Sequence, residues 1–188
     1  MQNKLINCLD AIHPLSAALK ERINSIVQSK QIFKKDFLLR EGQISNYIYF
    51  IEEGFIRSYY IKGNTEVTCW FMGIGDFIIS VNSFFLRKPS YESIQAVENS
   101  MVHFIHYNEL QQLYKEFSEF NAVGRMLTTH YYILSEERLY NMRKQSAEER
   151  YRFLLDKHPE ICQKAPLTQI ASYLGIALET LSRIRARK

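Results

Sequence analysis

Between Gln31 and Ile105 turn residues recur at roughly ten-residue spacing, a rhythm that restricts the fold more than any other feature of the chain. Phe33, Phe37 and Leu39 precede a turn at Glu41–Gly42, and Tyr47–Ile51 ends at Gly54. Phe55–Ile61 ends at Lys62–Asn64, and Val67–Phe71 leads into the Gly73–Gly75 turn, before Ser93–Val97 and Met101–Ile105 complete the series. Short strands joined this way each bury one face and close on one another, which predicts an all-β barrel or roll. On either side the period lengthens to three or four. Residues 1–30 read as helical, with Pro14 and Ser16 opening a second helix that carries Leu15, Leu19, Ile23 and Ile26. From about Ser118 to Lys144 a long helix is predicted, with Val123, Leu127, Tyr131 and Leu134 on one apolar stripe that needs a partner surface.

A second helical region follows. Ser146 and Glu149 have the spacing of a capping box, and the helix they open carries Tyr151, Leu154 and Leu155 on one face. Pro159 and Pro166 bracket a short connector, so a domain boundary is expected near Gln145. Leu167–Leu174 reads as a short helix ending at Gly175, and Leu178–Lys188 as a second. Gly175 suits the left-handed turn between them, where a Cβ would clash, and Ala171 suits close helix packing. Ile170, Leu174, Leu181 and Ile184 form the inward face; Glu179, Ser182, Arg183, Ala186 and Arg187 lie opposite.

That outward face has the chemistry of a major-groove reader. An arginine fork donates two hydrogen bonds to guanine, a glutamate accepts from the cytosine amino group, and Thr180 and Gln169 suit phosphate contacts. Thr168, Leu178 and Ser182 are further candidates for DNA contact. Charge agrees with this placement. Residues 1–135 hold 13 basic and 13 acidic side chains, whereas residues 136–188 hold 11 against 7, the whole net charge of +4. A basic end on a neutral body fits either a nucleic-acid binder or a solvated terminus. Double-stranded DNA with two-fold sites asks for a two-fold protein, so Val123, Leu127, Tyr131 and Leu134 are expected to pair two copies, with Gly124 allowing close approach.

Other classes find less support. The segment Met1–Leu9 is too short and polar for a signal peptide, and no apolar run approaches a bilayer's thickness, so a cytoplasmic protein without membrane contact is expected. Cys8, Cys69 and Cys162 are scattered, without the spacing of a disulfide framework, metal cluster or iron–sulfur site. His103 and His106 invite a cupin-like metal enzyme, but residues three apart on a strand face opposite sides. No catalytic triad, phosphate loop or carboxylate pair stands out, so no enzyme and no cofactor are predicted.

The chain resembles the catabolite-activator/fumarate–nitrate-regulator family of bacterial transcription factors, Crp/Fnr. The stretch Ile48–Gly54 looks like the family's roll signature, Gly73–Phe77 its turn into a phosphate-binding cassette, and Ile170–Ile184 its helix-turn-helix. The resemblance implies an α+β fold: a double-stranded β-helix (β-roll) like a cyclic-nucleotide-binding domain over 1–116, a dimerisation helix over 117–145 and a helix-turn-helix domain over 146–188. It implies base-reading roles for Glu179 and Arg183 and a phosphate contact for Thr180, and it makes RNA polymerase a further candidate partner. Two departures matter. Leu178 stands where an activator subgroup has a base-reading arginine, and Asp156–Pro166 is too short for the usual wing, so a reduced or absent wing is expected.

The family's ligand site is also altered. Ile79 and Ser80 replace its glycine–glutamate pair, and Pro89–Ser93 lacks the phosphate-binding arginine. Weak or absent cyclic AMP binding follows, because charge-assisted bonds to the phosphate are lost. The roll interior is then an unliganded core or a site for another effector, with Ser80, Asn82, Ser83 and Arg87 as polar candidates. Rival readings are a small-molecule or protein-interaction module without DNA binding, and the cupin-like enzyme.

Overall fold

The computed structural model describes residues 4–186. Two helices, α1 (Lys4–Ile12) and α2 (Ala17–Ile26), lead into strands β1 (Gln28–Ile32), β2 (Phe37–Leu39), β3 (Tyr47–Glu53), β4 (Ile56–Lys62), β5 (Thr65–Met72) and β6 (Phe77–Ile78). Helix α3 (Val81–Leu86) then precedes β7 (Ser93–Ala96) and β8 (Ser100–His106). The remainder is helical: α4 (Tyr107–Glu116), α5 (Ser118–Lys144), α6 (Ala147–Lys157), α7 (Pro159–Lys164), α8 (Leu167–Leu174) and α9 (Leu178–Ala186). The strands form two antiparallel four-stranded sheets, ordered β1-β8-β3-β6 and β2-β7-β4-β5, which face each other as the expected roll. Ile51, Ile56, Ile94 and Val102 are fully buried between them.

Local chemistry sets the boundaries. The Ser16 hydroxyl accepts from Leu19 N to open α2, and at α6 both bonds of the Ser146–Glu149 capping box are present. Gly54 ends β3 at φ +105, where a Cβ would lie 2.0 Å from Ser100 Oγ and 2.6 Å from Ser100 Cα. No side chain larger than hydrogen fits there, because the obstruction includes backbone of the neighbouring strand.

Several expectations need correction. The helical reading of residues 1–30 runs too far: Gln28–Ile32 is a strand, held by its ladder to residues 100–104 of β8. The cassette holds the short helix α3, and α4 precedes the long helix. The connector Asp156–Pro166 contains α7, and the described residues of the C-terminal part include no strand, so no wing is present there.

The largest correction concerns α5. Val123 is fully buried with Leu5, Leu9, Leu113 and Phe120, and Leu127 packs against the same cluster. Tyr131 Oη accepts from Phe77 N at 2.7 Å, and Leu134 faces a cavity within the chain. The stripe expected to pair two chains is therefore turned toward the chain's own body. Gly124 serves the same inward packing: a Cβ there would lie 2.5 Å from the Tyr114 ring of α4. The outward side instead exposes Met126, Tyr132, Ile133, Leu139 and Tyr140.

Gly54→Ala is expected to lower stability by about 3 kcal/mol through left-handed strain and collision with Ser100. Thermal unfolding followed by circular dichroism measures this; an unchanged midpoint would mean that β3 and β8 do not approach as described.

Candidate nucleic-acid interface and the roll interior

Helices α8 and α9 meet as the sequence suggests. Gly175 adopts φ +66, its N–H bonds Ser172 O, and Ile176 N bonds Ala171 O, which closes the helix end in a left-handed turn. Ile170, Ala171, Leu174 and Leu181 are buried together with Tyr151, Leu154 and Ile161 of α6 and α7. Arg150 of α6 donates from Nε to Leu174 O at 3.0 Å, placing a cation on the last carbonyls of α8. With its rear fixed, α9 presents Leu178, Glu179, Ser182 and Arg183 to solvent; Thr180 is half-buried, and Thr168 at the start of α8 is exposed. Gln169 is half-buried, its Oε1 enclosed without a partner. Arg187 lies outside the described residues.

This domain is seated on the roll. The Ser172 hydroxyl accepts from Thr68 N at 2.7 Å and donates to Glu66 O at 3.1 Å, so one side chain satisfies two backbone groups of β5. Tyr173 packs its ring 5.3 Å from Phe71, and Lys164 pairs with Glu98 at 2.5 Å. Neither Ser172 nor Lys164 stood out in the sequence, because nothing local marks partners 104 and 66 residues away.

Inside the roll, the four ligand candidates do not converge. Ser80 and Ser83 are buried; Ser80 Oγ accepts from Ser90 Oγ, while Ser83 Oγ accepts from Ser45 N and donates to Lys88 O. Arg87 donates to Ser45 O, Phe84 O and Asn46 Oδ1 and stacks over Tyr107. Asn82 is exposed. Three of the four are thus engaged in holding the α3 loop. The sequence reading missed Glu92, which is buried and hydrogen-bonded by Ser80 and Ser58. Burial pushes its carboxyl above the ordinary value of 4.5, and the two serine bonds offset this only in part.

The histidines also separate as expected. His106 caps α4 through Asn108 N, whereas His103 bridges Ser29 Oγ at 2.7 Å and Glu52 Oε2 at 2.5 Å across three strands. Ser29, His103 and Glu52 have the residue types of a hydrolytic triad, but Ser29 bonds Nδ1 as the cross-strand neighbour of His103 on the sheet. The described residues include no group of three or more side chains placed to hold a metal ion, and no helix long and apolar enough to cross a membrane.

Comparisons with known proteins agree with this architecture. Residues 29–117 match the family model of the cyclic nucleotide-binding domain. The chain is 27% identical over 177 residues to the anaerobic regulatory protein of Haemophilus influenzae, covering 87% of this chain and 68% of that one. Among solved structures, FixK2 from Bradyrhizobium japonicum superposes with TM-score 0.72 at 18% identity, over 86% of this chain and 84% of that one. A Crp/Fnr-family regulator structure from Eubacterium rectale gives 0.74 at 17% identity, over 95% and 85%. The fold is thus that of a cyclic nucleotide-binding domain joined to a helix-turn-helix. More narrowly, it is similar in fold to the Crp/Fnr-family regulator structure.

A raised native pKa means that the folded chain holds the Glu92 proton more tightly than the unfolded chain. Stability from this group is therefore greatest at acid pH and falls as pH rises from about 4.5 through the raised value. Glu92→Gln is expected to melt higher than the natural chain at neutral pH, with the difference closing toward pH 4.5. Parallel melting curves across that range would show Glu92 to be solvated instead.

Proposed function

We propose that the chain is a DNA-binding transcription regulator that acts as a homodimer in the cytoplasm, and not as an enzyme. The observation that carries this reading is α9: a helix anchored along its rear by Leu181 and Ile184, with Glu179, Ser182 and Arg183 displayed together on its free face. In this reading Arg183 and Glu179 read base edges, Thr180 and Thr168 contact phosphates, and Leu178 adds apolar contact without the further arginine of some relatives. Arg187, outside the described residues, is a further candidate for DNA contact. RNA polymerase is the partner through which such a protein acts on transcription.

The outward side of α5 supports pairing of two chains, by residues different from those the sequence suggested. Met126, Ile133 and Tyr140 recur every seven residues, with Tyr132 and Leu139 alongside, and all five are exposed. A helix of 27 residues, about 40 Å long, carrying this heptad row matches a parallel partner of the same sequence. A two-fold axis along α5 sets two copies of α9 side by side for successive major grooves.

Cyclic AMP is not the effector in this account. The buried Glu92, with Ser80 and Ser90 closed on each other, puts acidic character where a cyclic phosphate asks for a cation.

Arg183→Ala is expected to weaken operator binding by about 1–3 kcal/mol and relax preference at one base pair, read by fluorescence anisotropy across a salt series. Unchanged affinity would remove α9 from the groove. Ile133→Glu is expected to convert a dimer into a monomer in sedimentation equilibrium; a variant that stays dimeric would place the interface elsewhere.

A further inference from the structure

Between the roll and the C-terminal helices lies a cavity of about 370 Å³, separate from the roll interior where the domain family carries its nucleotide. Three parts of the chain build its walls: Trp70–Gly73 and Asp76 at the end of β5 and its turn, Leu134 and Asn141 on α5, and Phe153, His158 and Tyr173 from α6 to α8. Its volume falls among those of cavities that hold small organic molecules. Two properties of the walls define what fits.

The first is flatness. Phe55 and Phe71 stack with centroids 5.5 Å apart and planes within 9°, and Tyr173 lies 5.3 Å from Phe71. The Arg138 guanidinium covers the Tyr173 ring at 3.8 Å and reaches the Trp70 ring at 5.7 Å. A planar aromatic molecule is the shape that gains most from such surfaces.

The second is the sign of the unmet hydrogen-bonding capacity. The cations on the wall are already engaged. Arg138 donates to Tyr173 O at 2.9 Å, Arg150 to Leu174 O and Gln145 O at 3.0 and 2.8 Å, and Lys164 is paired with Glu98. Acceptors are less well served. Asp76 takes one bond from Gly73 N, and Glu160 is approached by His158 only at 3.5 Å. A carboxylate with few partners gains a bond from a donor on a ligand. An anion meets the wall carboxylates of Asp76, Glu137 and Glu160.

We propose that this cavity is a binding site for a flat aromatic or heteroaromatic small molecule that carries hydrogen-bond donors and is neutral or cationic, such as an aminated bicyclic ring. The aromatic body slots against Trp70, Phe71 and Tyr173, and its donors reach the Asp76 and Glu160 carboxylates. The walls belong partly to the roll and partly to the helix-turn-helix domain. A molecule that fits them therefore favours this docked arrangement over any in which the two separate. The assignment does not depend on DNA binding and is tested without it.

Trp70 is the chain's one tryptophan, so its fluorescence reports this cavity directly. The full chain is titrated with 2-aminobenzimidazole, a donor-bearing cationic bicycle, and with naphthalene-2-carboxylate, an anion of similar size. A saturable change in Trp70 emission is expected for the first, about tenfold or more tighter than for the second. Asn141→Phe fills the cavity from an α5 position and is expected to weaken the first titration by at least about tenfold while keeping the natural melting temperature. Glu160→Gln, which removes a wall carboxylate, provides a second variant with the same direction of change should Asn141→Phe not fold. Emission that changes only linearly with both compounds, a tighter carboxylate, or a titration unaltered in the folded variant would each overturn the assignment.

Discussion

An edge strand with unpaired backbone groups must be covered, and here the cover is the first helix of the helix-turn-helix. Strand β5 ends its sheet, and Ser172 supplies from a single hydroxyl what a further strand would have supplied at Thr68 N and Glu66 O. Around that point the Phe55–Phe71–Tyr173 stack joins the core of the C-terminal helices to the roll, and Lys164 and Glu98 close the rim. The orientation of α9, and hence what it can reach, depends on this joint. Burial on the helix side and backbone satisfaction on the strand side reinforce each other, so either domain moving alone exposes both apolar area and unmatched polar groups.

The long helix α5 is the second structural axis, and it has two distinct faces. Its inward side binds α1, α4 and β6 near its start through Phe120, Val123 and Tyr131, and Arg138 then touches α8 further along. Its outward side carries the exposed heptad row. A displacement in the roll therefore reaches the helix-turn-helix through one continuous rigid element, and the same element carries the surface proposed for pairing. In the roll interior Ser80, Ser90 and Glu92 bond one another, and the cavity proposed for a ligand lies instead at the joint between domains.

Much of the fold was legible because it follows from local signals. Turn spacing marked the strands, Ser16 and the Ser146–Glu149 pair marked helix starts, and Gly175 with Ala171 marked the helix-turn-helix. What was not legible depends on partners distant in sequence. Gln28–Ile32 has no strong strand signal and is a strand because β8 lies beside it. Val123, Leu127, Tyr131 and Leu134 form a sound amphipathic stripe, but periodicity states that a face is buried and not against what. Gly124 misled for the same reason, its small size serving Tyr114 within the chain. At the candidate DNA face, residue type and spacing sufficed to place Glu179 and Arg183 on the exposed side of α9. The roll residues Ser80, Ser83 and Arg87 have polar groups that look available until their backbone partners are known. Glu92 was overlooked because a lone acid in sequence does not announce its burial.

The central claim is that two copies of α9, related by a two-fold axis, read double-stranded DNA. In vitro selection of the full chain against random duplexes addresses it most directly, since no operator need be known beforehand. The account predicts enrichment of an inverted repeat whose half-site centres lie about one helical turn, ~34 Å, apart, with binding that weakens steeply as salt is raised. Enrichment of a lone half-site would contradict the two-fold arrangement, and failure to enrich any sequence would contradict DNA reading altogether.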